Sequence, residues 1–127
     1  MTLERILYVE DDPDIQAVAK LALDMMGGYQ TLICGSGNEA LEKVKDYKPD
    51  LILIDVMMPG LDGPSTLKKL RADPAFSALP VIFMTAKVQP AEVSHYRSLG
   101  AWDVIAKPFD PMNLAAQVQQ IWNQNHD

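Results

Sequence analysis

Five short apolar runs alternate along the chain with five segments in which apolar residues recur every three or four positions. The runs cover residues 5–9, 29–34, 50–54, 81–84 and 104–106, each near the usual length of a strand. The third and fourth are apolar almost throughout, as strands covered on both faces should be. The segments between them carry helix punctuation. Asp12 precedes Pro13, a cap followed by a proline in the first turn, and Ile15, Val18, Ala19, Ala22 and Met26 then repeat at helical spacing up to Gly27-Gly28. Ser36 and Glu39 form a capping box ahead of Ala40, Leu41 and Val44. Pro64 opens a third helix through Leu67 and Leu70 that closes near Asp73-Pro74. Pro90 and Gly100 bracket a fourth with Val93, Tyr96 and Leu99, and Asp110-Pro111 starts a fifth with Ala115, Val118 and Trp122. Strict strand–helix alternation predicts an α/β fold, a parallel sheet with helices on both faces. No linker or repeat interrupts it, so one domain is expected over residues 1–127.

Composition narrows the class. Of 127 residues, 48% are hydrophobic and 22% charged, enough to bury a core without disulfides or a structural metal. The aliphatic run Leu51-Ile52-Leu53-Ile54 is far short of a membrane span, and Glu4 and Arg5 break up the start, so neither membrane insertion nor a signal peptide is expected. Cys34 has no second cysteine to pair with, which fits a reducing, cytoplasmic setting. Net charge is −6, with 12 acids against 5 bases in residues 1–63 and 5 against 6 in residues 64–127. An acidic surface repels nucleic acid, so no direct contact with DNA or RNA is expected. Acid concentrated in the first half suits a metal cation or a basic partner instead.

In open α/β sheets ligands bind beyond the carboxyl ends of the strands. The first run leads into Glu10-Asp11-Asp12, the third into Asp55, the fourth into Thr85 and the fifth into Lys107. A single strand-end Asp is usually a turn or cap residue. Four strands delivering acids, a hydroxyl and a lysine to one edge make a site. Clustered carboxylates repel one another unless a cation intervenes, and Mg²⁺ suits one or two carboxylates plus a phosphoryl group. A carboxylate can attack phosphorus, while a metal, a lysine and a hydroxyl hold the transferring oxygens. The cluster contains the parts that phosphoryl transfer to an aspartate needs.

Four motifs in order carry a family resemblance: Tyr8-Val9-Glu10-Asp11-Asp12-Pro13, Asp55-Val56-Met57-Met58-Pro59-Gly60-Leu61-Asp62-Gly63, Thr85-Ala86 and Lys107-Pro108-Phe109. Over residues 5–122 the chain resembles the receiver domain of bacterial two-component response regulators, of the chemotaxis-regulator type. The resemblance implies a doubly wound, flavodoxin-like sheet of order 2-1-3-4-5 with five helices, and a cis Lys107-Pro108 peptide. It implies Asp55 as phospho-acceptor, Mg²⁺ held by Glu10, Asp11, Asp55 and the backbone carbonyl of Met57, and Thr85 and Lys107 on the phosphoryl group. A sensor histidine kinase or phosphotransfer protein would be the donor. A downstream protein would read the face of the fourth helix, fifth strand and fifth helix, with the chain a monomer or a weak phosphorylation-dependent dimer. The domain would assist its own phosphorylation and dephosphorylation rather than act as an enzyme on other substrates.

Other residues have simpler readings. Asp12 is a helix cap, Asp14 a surface residue and Asp62 a turn residue. His95, His126 and Cys34 have no metal-ligand spacing, and Gly35-Ser36-Gly37 lacks the lysine of a phosphate-binding loop. The sequence departs from the family at Val104, where an aromatic switching residue is usual, and at Trp102, usually acidic. Met57 and Lys87 occupy positions that, by the resemblance, tune phosphoryl lifetime in the family. Lacking a ring at Val104, any signal is expected to travel through residues 86–90 and the fourth helix. Three alternatives compete: a degenerate receiver working as a phosphorylation-independent interaction module, an aspartate-nucleophile phosphohydrolase and a flavodoxin-like cofactor binder. The second needs an acid two residues after its nucleophile, where this chain has Met57. A flavodoxin-like cofactor binder would place a phosphate against Glu10-Asp11-Asp12, which would repel it.

Overall fold

Each apolar run becomes a strand: β1 (Arg5–Val9), β2 (Gln30–Cys34), β3 (Leu51–Asp55), β4 (Val81–Thr85) and β5 (Asp103–Ala106). The computed structural model describes residues 2–125, so His126 lies outside the described residues. All four pairings are parallel, in the order β2-β1-β3-β4-β5. Every residue of β3 and β4 is buried, which is why these two read as unbroken apolar runs. The expected doubly wound architecture is what forms.

The helices are α1 (Pro13–Leu21), α2 (Gly37–Tyr47), α3 (Gly63–Ala72), α4 (Pro90–Ser98) and α5 (Leu114–Asn125). Strand side chains alternate between two cores. On one face Ile6, Tyr8, Leu53, Met84 and Ile105 meet Ala19 of α1 and Leu114, Val118 and Trp122 of α5. On the other, Leu7, Val9, Ile54 and Phe83 meet Ala40 and Val44 of α2 and Leu67 and Leu70 of α3. Asp12 caps α1 by accepting from the Asp14 and Ile15 amides, as its position before Pro13 predicts. Ser36 caps α2 by accepting from the Glu39 amide, but Glu39 reaches back to the Gly35 amide, at 2.6 Å, rather than to Ser36.

Three details differ from the periodicity. Beyond Leu21 the first helix continues as one π-helical turn, Ala22–Met26, which shifts the buried stripe by a residue. Leu23 is fully buried, while Val18 and Met26 are 43% and 51% exposed. The last helix begins at Leu114, later than Asp110-Pro111 suggests. The Asp110 carboxylate accepts from the Met112 amide (2.9 Å) and the Asn113 side chain (3.1 Å), building a turn first. Leu99, expected on the buried face of the fourth helix, lies exposed beyond its end.

Candidate functional site

Strand alternation puts Glu10, Asp55 and Lys107 on the same side of the sheet as Tyr8, Leu53 and Ile105, two residues further along each strand. They meet at the carboxyl edge. Glu10 is fully buried because the backbone extends β1 by one more bond, from its amide to the Cys34 carbonyl (2.9 Å). Lys107 is anchored by its own amide, which donates to the Thr85 carbonyl at 2.9 Å. Its ammonium reaches across the sheet and donates to Glu10 Oε1 at 2.8 Å and Asp55 Oδ2 at 3.1 Å. The lysine is the cation inside the acid cluster. The Lys107-Pro108 peptide beyond it is cis, as the resemblance implies.

The remaining carboxylate contacts are to backbone. Asp55 Oδ1 accepts from the Met57 amide (3.3 Å), and Glu10 Oε2 from the Asp11 amide (2.9 Å). The Gln16 side chain of α1 donates to the Glu10 carbonyl. Asp11 is exposed at the pocket mouth. One carboxylate oxygen from each of Glu10, Asp11 and Asp55 lies within 4.8 Å of the others, an all-oxygen donor set that fits a hard divalent cation such as Mg²⁺. Thr85 is buried at the next strand end, and its hydroxyl accepts from the Lys87 amide at 3.1 Å. Met57 turns its side chain outward, 75% exposed. The geometry thus brings Glu10, Asp11, Asp55 and Lys107 together and leaves Thr85 beside them, engaged with its own loop.

Burial pushes the Glu10 carboxyl up to about 7 from its ordinary 4.5; Asp55 pushes the same way, while the Lys107 hydrogen bond opposes. Burial lowers the Lys107 ammonium, but its bonds to Glu10 and Asp55 outweigh that and leave it raised. Burial, then Glu10 and Asp55, hold the Tyr8 hydroxyl far above its ordinary value, so it stays neutral beneath the site. Cys34 is buried and its thiol is pushed up to about 11, chiefly by burial, which makes it chemically inert.

Two residues act here in ways that the spacing does not reveal. Asp62, read as a turn residue, caps α3 by accepting from the Ser65 amide at 2.8 Å. Gly63 follows it against the end of β3: a Cβ there would lie 2.7 Å from the Asp55 carbonyl oxygen and 2.9 Å from Val56 Cα. Glycine is what lets α3 start directly behind β3. Its place between a cap and Pro64 was the available signal.

The family model for the response regulator receiver domain matches residues 6–119. The chain is 37% identical over 124 residues to the DNA-binding response regulator MtrA of Mycolicibacterium smegmatis, covering 98% of this chain and 53% of that protein. It is 36% identical over 118 residues to the alkaline phosphatase synthesis transcriptional regulatory protein PhoP of Bacillus subtilis, covering 93% and 48%. The structure of the chemotaxis response regulator CheY4 of Vibrio cholerae superposes with a TM-score of 0.86 at 28% identity, covering 94% of this chain and 99% of that one. The chain therefore spans about half the length of the curated relatives it matches, and nearly all of a chemotaxis regulator.

These matches correct the partner expectation drawn from charge. Repulsion between a −6 domain and nucleic acid leads one to expect no direct contact with DNA, yet MtrA, matched along 98% of this chain, is a DNA-binding response regulator. The physical error is one of range. Screening limits a charge's influence to about 10 Å at ordinary salt, so an acidic domain says nothing about DNA contacts made elsewhere in a longer protein. Among the described residues no helix is long and apolar enough to cross a membrane. With the acid cluster, the strand order and the family match in agreement, this chain belongs to the response regulator receiver domain family, whose members work in phosphorelay signalling.

Proposed function

We propose that Asp55 is the residue phosphorylated. A carboxylate oxygen of Asp55 would attack phosphorus in a phosphohistidine of a sensor kinase or phosphotransfer protein. The new O–P bond forms as the P–N bond breaks, and the histidine nitrogen keeps the electron pair. The observation that carries this reading is the double contact of the Lys107 ammonium, 2.8 Å from Glu10 and 3.1 Å from Asp55, with Asp11 close by. Lys107, which donates to Asp55 Oδ2, would pair with a phosphoryl oxygen once one is attached. Thr85 would release the Lys87 amide and bond another of those oxygens. Mg²⁺ would be held by Glu10, Asp11, Asp55 and the Met57 carbonyl, and would supply charge neutralisation on the transferring oxygens. The same groups would let the domain assist its own phosphorylation and the hydrolysis of the resulting acyl phosphate, in the cytoplasm.

In MtrA and PhoP the receiver is about half of a regulator named for DNA binding or transcription. We propose that phosphorylation here likewise sets the activity of an output, whether a following region or a separate protein. Incubation with Mg²⁺ and acetyl phosphate, followed by intact mass, tests the chemistry. A metal-dependent gain of one phosphoryl group is expected, absent in Asp55→Asn and impaired in Asp11→Ala. An adduct that persists in Asp55→Asn would overturn the assignment.

A further inference from the structure

We propose that Tyr96 is a positioning residue through which α4 follows the phosphoryl-binding end of β4; the inference rests on the reading of Asp55 and Thr85 above. α4 is held lightly. None of its residues is fully buried, and its cap residue Gln89 makes no side-chain capping bond. Residues 86–90, which lead into it, are all exposed. Among the described residues of α4, Tyr96 is the one that packs against a buried core cluster. Its ring meets Phe83 edge-on, with centroids 5.2 Å apart and planes at 71°, the favoured aromatic geometry.

Phe83 is on β4, two residues before Thr85 and on the same side of the strand. It pairs in register with Val104 of β5, which packs against the same cluster as Tyr96. Valine is short and stiff at χ1, so the moving bulk on this face belongs to Tyr96. At its far end the helix is fastened differently. The Ala101 amide donates to the Tyr96 carbonyl (3.2 Å), the Trp102 amide to the Val81 carbonyl (2.7 Å), and Arg97 pairs with Asp103 (3.1 Å). The C-terminal end of α4 is thus tied to the sheet, and the N-terminal end is linked to it by an exposed loop. When Thr85 shifts to bond a phosphoryl oxygen, the strand carries that shift to Phe83. The ring contact then passes it to the helix.

The test is amide chemical-shift mapping of the full chain with Mg²⁺ and beryllofluoride. In the wild type and in Tyr96→Phe, amides around Asp55 and Thr85 and those of residues 93–99 should all shift. In Tyr96→Ala the shifts near Asp55 and Thr85 should persist while those of 93–99 are lost. Tyr96→Leu keeps an apolar anchor on the helix without the ring that reaches Phe83, and the same loss is expected. Undiminished α4 shifts in Tyr96→Leu, or no α4 shifts in the wild type, would overturn the role of Tyr96. An absence of shifts at Asp55 and Thr85 themselves would instead overturn the phospho-acceptor reading.

Discussion

Glu10 shows how one buried residue carries both the cost and the use of the site. Its carboxyl is held at about 7 against an ordinary 4.5, so the folded chain binds that proton more tightly than the unfolded chain does. The contribution to stability is therefore full below about 4.5 and is lost as pH rises through about 7. In EDTA, the urea unfolding free energy of the wild type relative to Glu10→Gln should fall across that window. A difference that stays flat with pH would mean that Glu10 ionises as an ordinary surface acid. Metal binding requires the carboxylate, so Mg²⁺ should bind more tightly as pH rises through the same range. Tyr8 lies just below with a buried hydroxyl that has no hydrogen-bond partner among the described residues. Removing an unsatisfied group costs nothing in bonds, so Tyr8→Phe should hold or raise stability, by up to about 1 kcal/mol, in the same denaturation experiment.

At the scale of elements, the site depends on how closely α3 starts behind β3. Gly63→Ala would drive a methyl into the Asp55 carbonyl and Val56 Cα, neither of which can yield without moving β3. A loss of about 1–3 kcal/mol is expected by thermal or urea unfolding, with slower phosphorylation by acetyl phosphate in the variant that still folds. This contact also marks where the sequence stops being readable. Strand ends were legible because apolar runs stop abruptly at Glu10, Asp55, Thr85 and Lys107, and convergence then follows from a parallel sheet. The approach of α3 to β3 was not, because a glycine between a cap and a proline reads equally well as a turn. The π turn at Ala22–Met26 was hidden for a related reason: residues 21–23, 25 and 26 are all apolar, so the apolar stripe can be drawn in either register and Asp24 by itself does not mark the one-residue shift. Asp110 was misplaced as a helix start because its side chain first organises residues 111–113. That Lys107 spans from Glu10 to Asp55 is a matter of ångströms, which spacing along a chain does not encode.

For the molecule as a whole, the balance lies between a well-packed sheet and an acid cluster neutralised in part by one lysine. Asp11 is exposed and receives no share of Lys107, although one of its carboxylate oxygens lies within 4.8 Å of those of Glu10 and Asp55. Asp11→Asn should raise the melting temperature in EDTA, by a gain of roughly 0.5–1 kcal/mol, and should lose most of the further rise that Mg²⁺ gives the wild type by binding the folded form. A lower melting temperature for Asp11→Asn in EDTA would show that the acids are not in conflict. Asp55 is the one carboxylate at this edge of the sheet proposed to take the phosphoryl group. Borohydride reduction of the Mg²⁺- and acetyl-phosphate-treated chain, followed by peptide mapping, tests it most directly, because reduction converts an acyl phosphate permanently to an alcohol. Phosphorylation of Asp55 predicts homoserine at position 55 and at no other acid. Reduced product at Asp11, Asp12 or Glu10, or none at all, would contradict it.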